Sequence, residues 1–250
     1  MDKYNQILAS FTAQDILNPK IWDNPGKPSK SQMKPKVREA LIDIANEFME
    51  YLDVPMFVQG ITMTGSLANF NWSQFSDIDL HLMVNFDQFG KEEELYKDLL
   101  GLKKTLFNSQ HDIKIYGYEV ELYVQDISET HFSSGVYSVS EGEWNIPPKK
   151  VHVEIDKNQL KSKVKSWTDQ IDSLLENLEG EDSGLIKKSI DNLKDKLKKY
   201  RSTGLEQGGE YSYENLTFKF LRRNGYVQKL FDMENKMVDK NLSLETKVTE

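Results

Sequence analysis

Hydrophobic and polar positions follow two distinct periods along the chain, and the elements can be read from where one gives way to the other. From Val37 to Tyr51 the apolar residues Val37, Leu41, Ile44, Ala45, Phe48 and Tyr51 recur at helical spacing, which predicts an amphipathic helix lying against a sheet. Met56-Phe57-Val58 and Ile61-Thr62-Met63 then lead into Thr64-Gly65-Ser66. Ten mostly small or polar residues follow, with a short helix or loop expected over 67–75, and the period becomes two in Asp77-Ile78-Asp79-Leu80-His81-Leu82. A strand with that alternation turns Ile78, Leu80 and Leu82 toward a core and sends Asp77, Asp79 and His81 to the other face. Helical spacing returns over 86–107 through Leu95, Leu99, Leu100, Leu102 and Leu106, with Lys103-Lys104 near the end. The runs 111–116 and 118–125 read as two strands of a hairpin turning at Gly117.

The two ends of the chain read differently. Residues 1–36 carry a short apolar pattern, Tyr4, Ile7, Leu8 and Phe11, and then prolines at 19, 25 and 28 that exclude a continuous helix. Trp22 is expected to fix this arm onto the body. The segment from Ser133 to Ser138 with Trp144 is aromatic but not periodic, so Tyr137 and Trp144 are expected to pack a sheet edge rather than stack on a base. Pro147-Pro148 marks a boundary. Beyond it, Leu160, Val164, Trp167, Ile171, Leu174 and Leu178 trace one helix, and Ile186, Ile190, Leu193, Leu197 and Tyr200 trace another, with the run Lys194 to Arg201 as a solvated face. Gly204 to Gly209 reads as a flexible break, and Ser212 as the cap of a last helix running to Met233. The expected layout is α+β, with a mixed sheet flanked by helices over 1–148 and a helical domain over 149–250.

Composition narrows the class. With 250 residues and 38% hydrophobic content, the chain can bury one large core or two modest ones. It has no cysteine, so disulfides and thiolate metal sites are excluded. The start is too polar for a signal peptide, and no apolar run approaches the roughly 20 residues that cross a bilayer, so a soluble cytoplasmic protein is expected. The formal charge of −8 is uneven: residues 1–148 hold 12 basic against 22 acidic side chains, while 149–250 hold 20 against 18. Extended binding to duplex DNA through phosphate neutralisation is not expected of so acidic a surface.

The candidate chemistry lies in the strand with Asp77 and Asp79. Alternate residues on one strand face sit about 6.6 Å apart at Cα, close enough for both carboxylates to share one divalent cation, and oxygen ligands suit Mg²⁺ or Mn²⁺. Gly65 and Ser66 supply a backbone open to close approach and a small hydroxyl for a metal-bound phosphate. A Ser-Asp-x-Asp stretch by itself also fits turn chemistry. A third carboxylate is offered by Tyr118-Glu119-Val120-Glu121-Leu122-Tyr123-Val124, with Glu121 between apolar residues; Glu119 shares its face by period two, and Asp112 is a further competitor. His81 reads as a hydrogen-bonded histidine beneath the site rather than a ligand.

The spacing from Thr64-Gly65-Ser66 to Asp77-Ile78-Asp79-Leu80, with Glu121 later, resembles the signature of the DNA polymerase β-like nucleotidyltransferase superfamily. The whole-chain pattern, including Asn18-Pro19-Lys20-Ile21-Trp22-Asp23, Ser133 to Ser138 and Glu214 to Tyr226, is similar to uncharacterised nucleotidyltransferases of tailed phages, which would place the protein in a host cytoplasm. The resemblance implies a nucleotidyltransferase-type sheet, a nucleoside triphosphate such as ATP bound by Gly65 and Ser66, and Asp77, Asp79 and Glu121 as metal ligands and catalytic residues. It implies two-metal transfer of a nucleoside monophosphate to an acceptor hydroxyl, with pyrophosphate leaving. The superfamily more often has Asp at the position of Glu121. Arg222 and Arg223 are further candidates for contacting phosphate or the acceptor, which is open between an RNA end, a nucleotide, a protein and a small molecule. The alternatives are a non-catalytic nucleotide- or partner-binding module of the same fold, and a glycosyltransferase using Asp-x-Asp.

Overall fold

A computed structural model describes residues 2–129, 133–151, 153–176 and 183–243. They divide into two compact units, one over 10–152 and one formed by 1–9 with 153–250. The division falls close to the boundary expected after Pro148, but helix α1 (Lys3–Ala9) belongs with the helical unit, where the Tyr4 ring meets Phe220 edge-on. Among the described residues, no helix is long and apolar enough to cross a membrane.

The α+β unit is built on a mixed six-stranded sheet. After a small antiparallel pair, β1 (Trp22–Asp23) with β2 (Gln32–Met33), helix α2 (Pro35–Leu52) begins at Pro35, where a missing N–H forfeits no helical hydrogen bond. It buries Val37, Leu41, Ala45, Phe48 and Leu52, much of the stripe read from the sequence. Strands β3 (Val58–Thr64) and β4 (Ile78–Val84) then pair antiparallel, with Thr64 opposite Asp79. The single helix expected over 86–107 is two pieces. Gly90, at φ 57°, separates a 3-10 segment (Phe86–Glu92) from α3 (Glu93–Gln110). Helix α3 buries Leu100 and Phe107, whereas Leu95, Leu102 and Leu106 face out.

Next come β5 (Lys114–Ile115) and β6 (Tyr118–Asp126), the expected hairpin. Its two turn residues, Tyr116 and Gly117, take φ 51° and 91°, the positive pair whose twist matches that of the flanking strands. Strand β6 lies parallel to β4, a pairing that needs a long crossover, here supplied through α3. Strands β7 (Val136–Ser138) and β8 (Glu143–Ile146) extend the other side, giving the order β5-β6-β4-β3-β7-β8. Ile78, Leu80, Leu82 and Leu122 are fully buried in one core with Leu41, Phe48, Leu100 and Phe107 from the helices. Each such side chain stabilises the fold by about 1.5–3 kcal/mol. The alternate residues of β4, which include Asp79 and His81, are half-buried.

The helical unit adds α4 (Lys157–Glu176), α5 (Ser183–Gly208), α6 (Tyr213–Arg223) and α7 (Tyr226–Leu242). Trp167, Ile171, Ile186, Ile190, Leu197, Leu221, Leu230 and Met233 share its core. Three expectations are corrected here. Helix α5 runs through Gly204 to Gly208 instead of breaking, because Gly204 is where α6 comes closest; a Cβ there would lie 2.4 Å from Glu214 Cβ. The expected last helix is two, parted at Asn224-Gly225 where Gly225 takes φ 82°. Ser212 caps α6 as expected, its Oγ accepting from the Asn215 N–H at 3.3 Å. The run from Lys194 to Arg201 is only partly a solvated face, since Lys194, Lys196 and Arg201 lie over the rings of Phe231, Trp167 and Phe218. Leu178 lies outside the described residues, as do 180–182 of the separator expected between α4 and α5.

Candidate metal centre

The acidic pair and the third carboxylate come from neighbouring strands. Asp77 immediately precedes β4, Asp79 is its second residue, and the parallel register sets Glu121 of β6 directly opposite Asp79. Parallel neighbours lie about 4.8 Å apart, so the pairing itself brings the two side chains together. One carboxylate oxygen from each of Asp77, Asp79 and Glu121 lies within 4.8 Å of the others, and all three residues are half-buried. Glu119 shares the face of Glu121 but sits opposite Lys114 of β5, exposed, and Asp112 is ion-paired to Lys114 at 2.5 Å. Neither joins the cluster among the described residues. Three carboxylates this close repel one another when ionised, and an all-oxygen donor set of this kind suits a hard divalent cation.

The Gly-Ser turn explains its own composition. Gly65 takes φ 79°, ψ −164°, a conformation that residues with a Cβ rarely adopt. A Cβ on it would lie 1.8 Å from Asp79 Oδ2, so only glycine lets the backbone pass this near the Asp79 carboxylate. The short helix or loop expected after the turn is a single 3-10 turn (Ser66–Ala68), too short to present a helix dipole to an anion. Ser66 is buried and its hydroxyl donates to Ser76 Oγ at 2.7 Å, while Ser76 Oγ also accepts the Ser73 N–H at 2.9 Å. The ten-residue spacer is therefore tied back to the turn that starts it.

Two further segments brace the turn. The Gly65 N–H donates to Ser133 Oγ at 3.3 Å, and Asn69 Nδ2 donates to Ser134 Oγ at 2.6 Å. A Cβ on Gly135 would meet the Ala68 carbonyl oxygen at 2.0 Å, so this loop also rests against the turn at a glycine. From the arm, the Trp22 indole N–H donates to the Leu67 carbonyl at 2.7 Å, and its ring stacks on Trp144 at 4.5 Å. Tyr137, fully buried, packs edge-on against both indoles. Trp22, Tyr137 and Trp144 are structural here, as expected.

Sequence reasoning passed over Tyr123. Its hydroxyl donates to Glu121 Oε2, and its ring stacks on His81 with centroids 4.8 Å apart and planes 16° from parallel. Burial holds the Tyr123 phenol well above the ordinary range, helped by the charges of Asp79 and Glu121, so it remains a hydrogen-bond donor. The signal was available in the period of two, which puts Tyr123 on the face of Glu121. His81 Nε2 lies 3.1 Å from Thr64 Oγ1, the hydrogen-bonded role expected of it. Of the paired lysines in α3, Lys103 donates to the Leu52 carbonyl at the end of α2, and Lys104 lies 5.1 Å from the centre of the Tyr123 ring. Arg222 and Arg223 form the last turn of α6 in the helical unit. A cavity of about 480 Å³ between Gln32, Arg38, Asp43, Tyr137 and Glu141 includes none of the acidic triad. No protein-family model, curated protein or solved structure matches the chain.

Proposed function

We propose that the chain is a divalent-cation-dependent nucleotidyltransferase, which moves a nucleoside monophosphate from a nucleoside triphosphate to an acceptor hydroxyl and releases pyrophosphate. The observation that carries this reading is the meeting of Asp77, Asp79 and Glu121 within 4.8 Å beside a glycine packed against Asp79. The donor set fits Mg²⁺ or Mn²⁺, which Asp77, Asp79 and Glu121 would hold. When bound, such ions neutralise phosphate charge and lower the pKa of an acceptor hydroxyl. The acceptor hydroxyl gives up its proton to solvent, and its oxygen bonds to the α-phosphorus as the bond to the bridging oxygen of pyrophosphate breaks. Gly65, lacking a side chain, leaves the Asp79 carboxylate its place beside the turn, and Ser66 fixes the turn through Ser76. The resemblance of the Gly-Ser and Asp-x-Asp segments to the polymerase β-like superfamily supports the same reading, and with it ATP or another nucleoside triphosphate as substrate.

The test is incubation with Mg²⁺ or Mn²⁺, each labelled triphosphate in turn, and a cell extract as the source of acceptor. Label transfer and pyrophosphate release are expected from the wild-type chain and are expected to vanish in Asp77→Ala/Asp79→Ala. Triphosphate binding with no release in any extract overturns the enzyme in favour of a binding module. Transfer of sugar from a nucleotide-sugar overturns it in favour of a glycosyltransferase.

A further inference from the structure

Glu121 differs from its two partners in reach. It has one more methylene than Asp77 or Asp79, hence one more rotatable bond, and a ligand on a longer arm must be held if it is to meet the same ion. The sheet supplies that hold in successive rungs. Thr64, Asp79 and Glu121 lie side by side across β3, β4 and β6, and Thr62, His81 and Tyr123 form the rung below. From the lower rung Tyr123 reaches back to Glu121 Oε2, and its ring is fixed by the His81 stack with Lys104 also against it. His81 in turn is tied to Thr64, the residue before Gly65.

We propose that Tyr123 is a positioning residue that sets the orientation of the Glu121 carboxylate for cation binding, with the chain Thr64–His81–Tyr123 transmitting the geometry of the Gly65 turn to the third ligand. This rests on the cation-dependent reading above. Partners that orient a metal ligand characteristically affect affinity by 10- to 100-fold when removed. A phenylalanine at 123 keeps the ring and its stack and deletes only the hydroxyl.

The experiment is Mn²⁺ titration of the full chain by calorimetry, with thermal unfolding alongside. Tyr123→Phe is expected to weaken Mn²⁺ binding at least about tenfold with the thermal midpoint unchanged. In a Glu121→Gln background the same substitution is expected to cost nothing further, because its only route to the ion has gone. Wild-type affinity in Tyr123→Phe, or an equal loss in both backgrounds, overturns the proposal. If the wild-type chain and Asp77→Asn/Asp79→Asn bind Mn²⁺ alike, the cation reading itself has failed. A crystal structure of Tyr123→Phe then decides the positioning role: a displaced Glu121 carboxylate supports it, and one that keeps its place overturns it.

Discussion

Gly65 joins backbone strain and the acidic cluster at a single position. Its φ of 79° and ψ of −164° cost a residue with a Cβ about 1–3 kcal/mol, and the added carbon would lie 1.8 Å from Asp79 Oδ2. One of the two must give way. The turn is held by Ser133, Ala68 and the Ser66–Ser76 pair, whereas Asp79 has a rotatable side chain, so the carboxylate is what moves. Gly65→Ala is therefore expected to lose Mn²⁺ binding, measured by calorimetry, along with about 1–3 kcal/mol of stability. Retained binding at wild-type affinity would show that the Asp79 carboxylate is not held by this contact. Asp77 and Asp79 were legible in the sequence because they stand in a local alternation that marks their face, whereas the same alternation put Glu119 beside Glu121, and only the parallel register with β4 sets Glu121 opposite Asp79. Ser76 and Ser133 were not legible, because a hydroxyl has no periodic signature and these reach Ser66 and Gly65 across 10 and 68 residues respectively.

Glycine meant opposite things in two helices, and pattern alone could not separate them. Gly204 was expected to break a helix, yet it lies inside α5 because the neighbouring α6 leaves no room for a side chain. Gly101 lies inside α3 with open space where a Cβ would be. Alanine gains about 0.8–1 kcal/mol over glycine in a helix interior, so Gly101→Ala is expected to raise the thermal midpoint. At Gly204 the same gain is opposed by overlap at 2.4 Å with Glu214 Cβ, which cannot swing aside as a side-chain tip can. Overpacking of this kind costs about 1–3 kcal/mol. Gly204→Ala is therefore expected to lower the midpoint, and a rise there would mean the helices part at little cost. The true break, at Gly225, was hidden because apolar spacing continues across it through Leu221, Tyr226 and Leu230. The strands were read more accurately. Their period and the Gly117 turn are local, whereas the 3-10 segment before α3 depends on one positive φ at Gly90.

The division of labour in the whole chain follows its charge, since the acidic half carries the triad and the balanced half is helical. On the proposed reading, a nucleotide that arrives with its cation would meet such a surface without a basic groove. The chain's first residues cross this division, because α1 belongs to the helical unit although 10–152 separates them in sequence. Ile7 is fully buried, Leu8 nearly so, and Tyr4 packs on Phe220. Burial of one large aliphatic side chain contributes about 1.5–3 kcal/mol, so loss of this helix removes several kcal/mol from a unit whose total stability is on the order of 5–15 kcal/mol. The core of the sheet unit, by contrast, includes no residue before Leu17 among the described residues. Deleting residues 2–9 is therefore expected to raise amide hydrogen exchange in α6, read peptide by peptide by mass spectrometry, and to leave exchange in β4 and β6 unchanged. Equal deprotection of both units would mean that the short helix supports the fold as a whole. Unchanged protection in α6 would mean that its packing there contributes little, and that the first nine residues can be removed without cost to the helical unit.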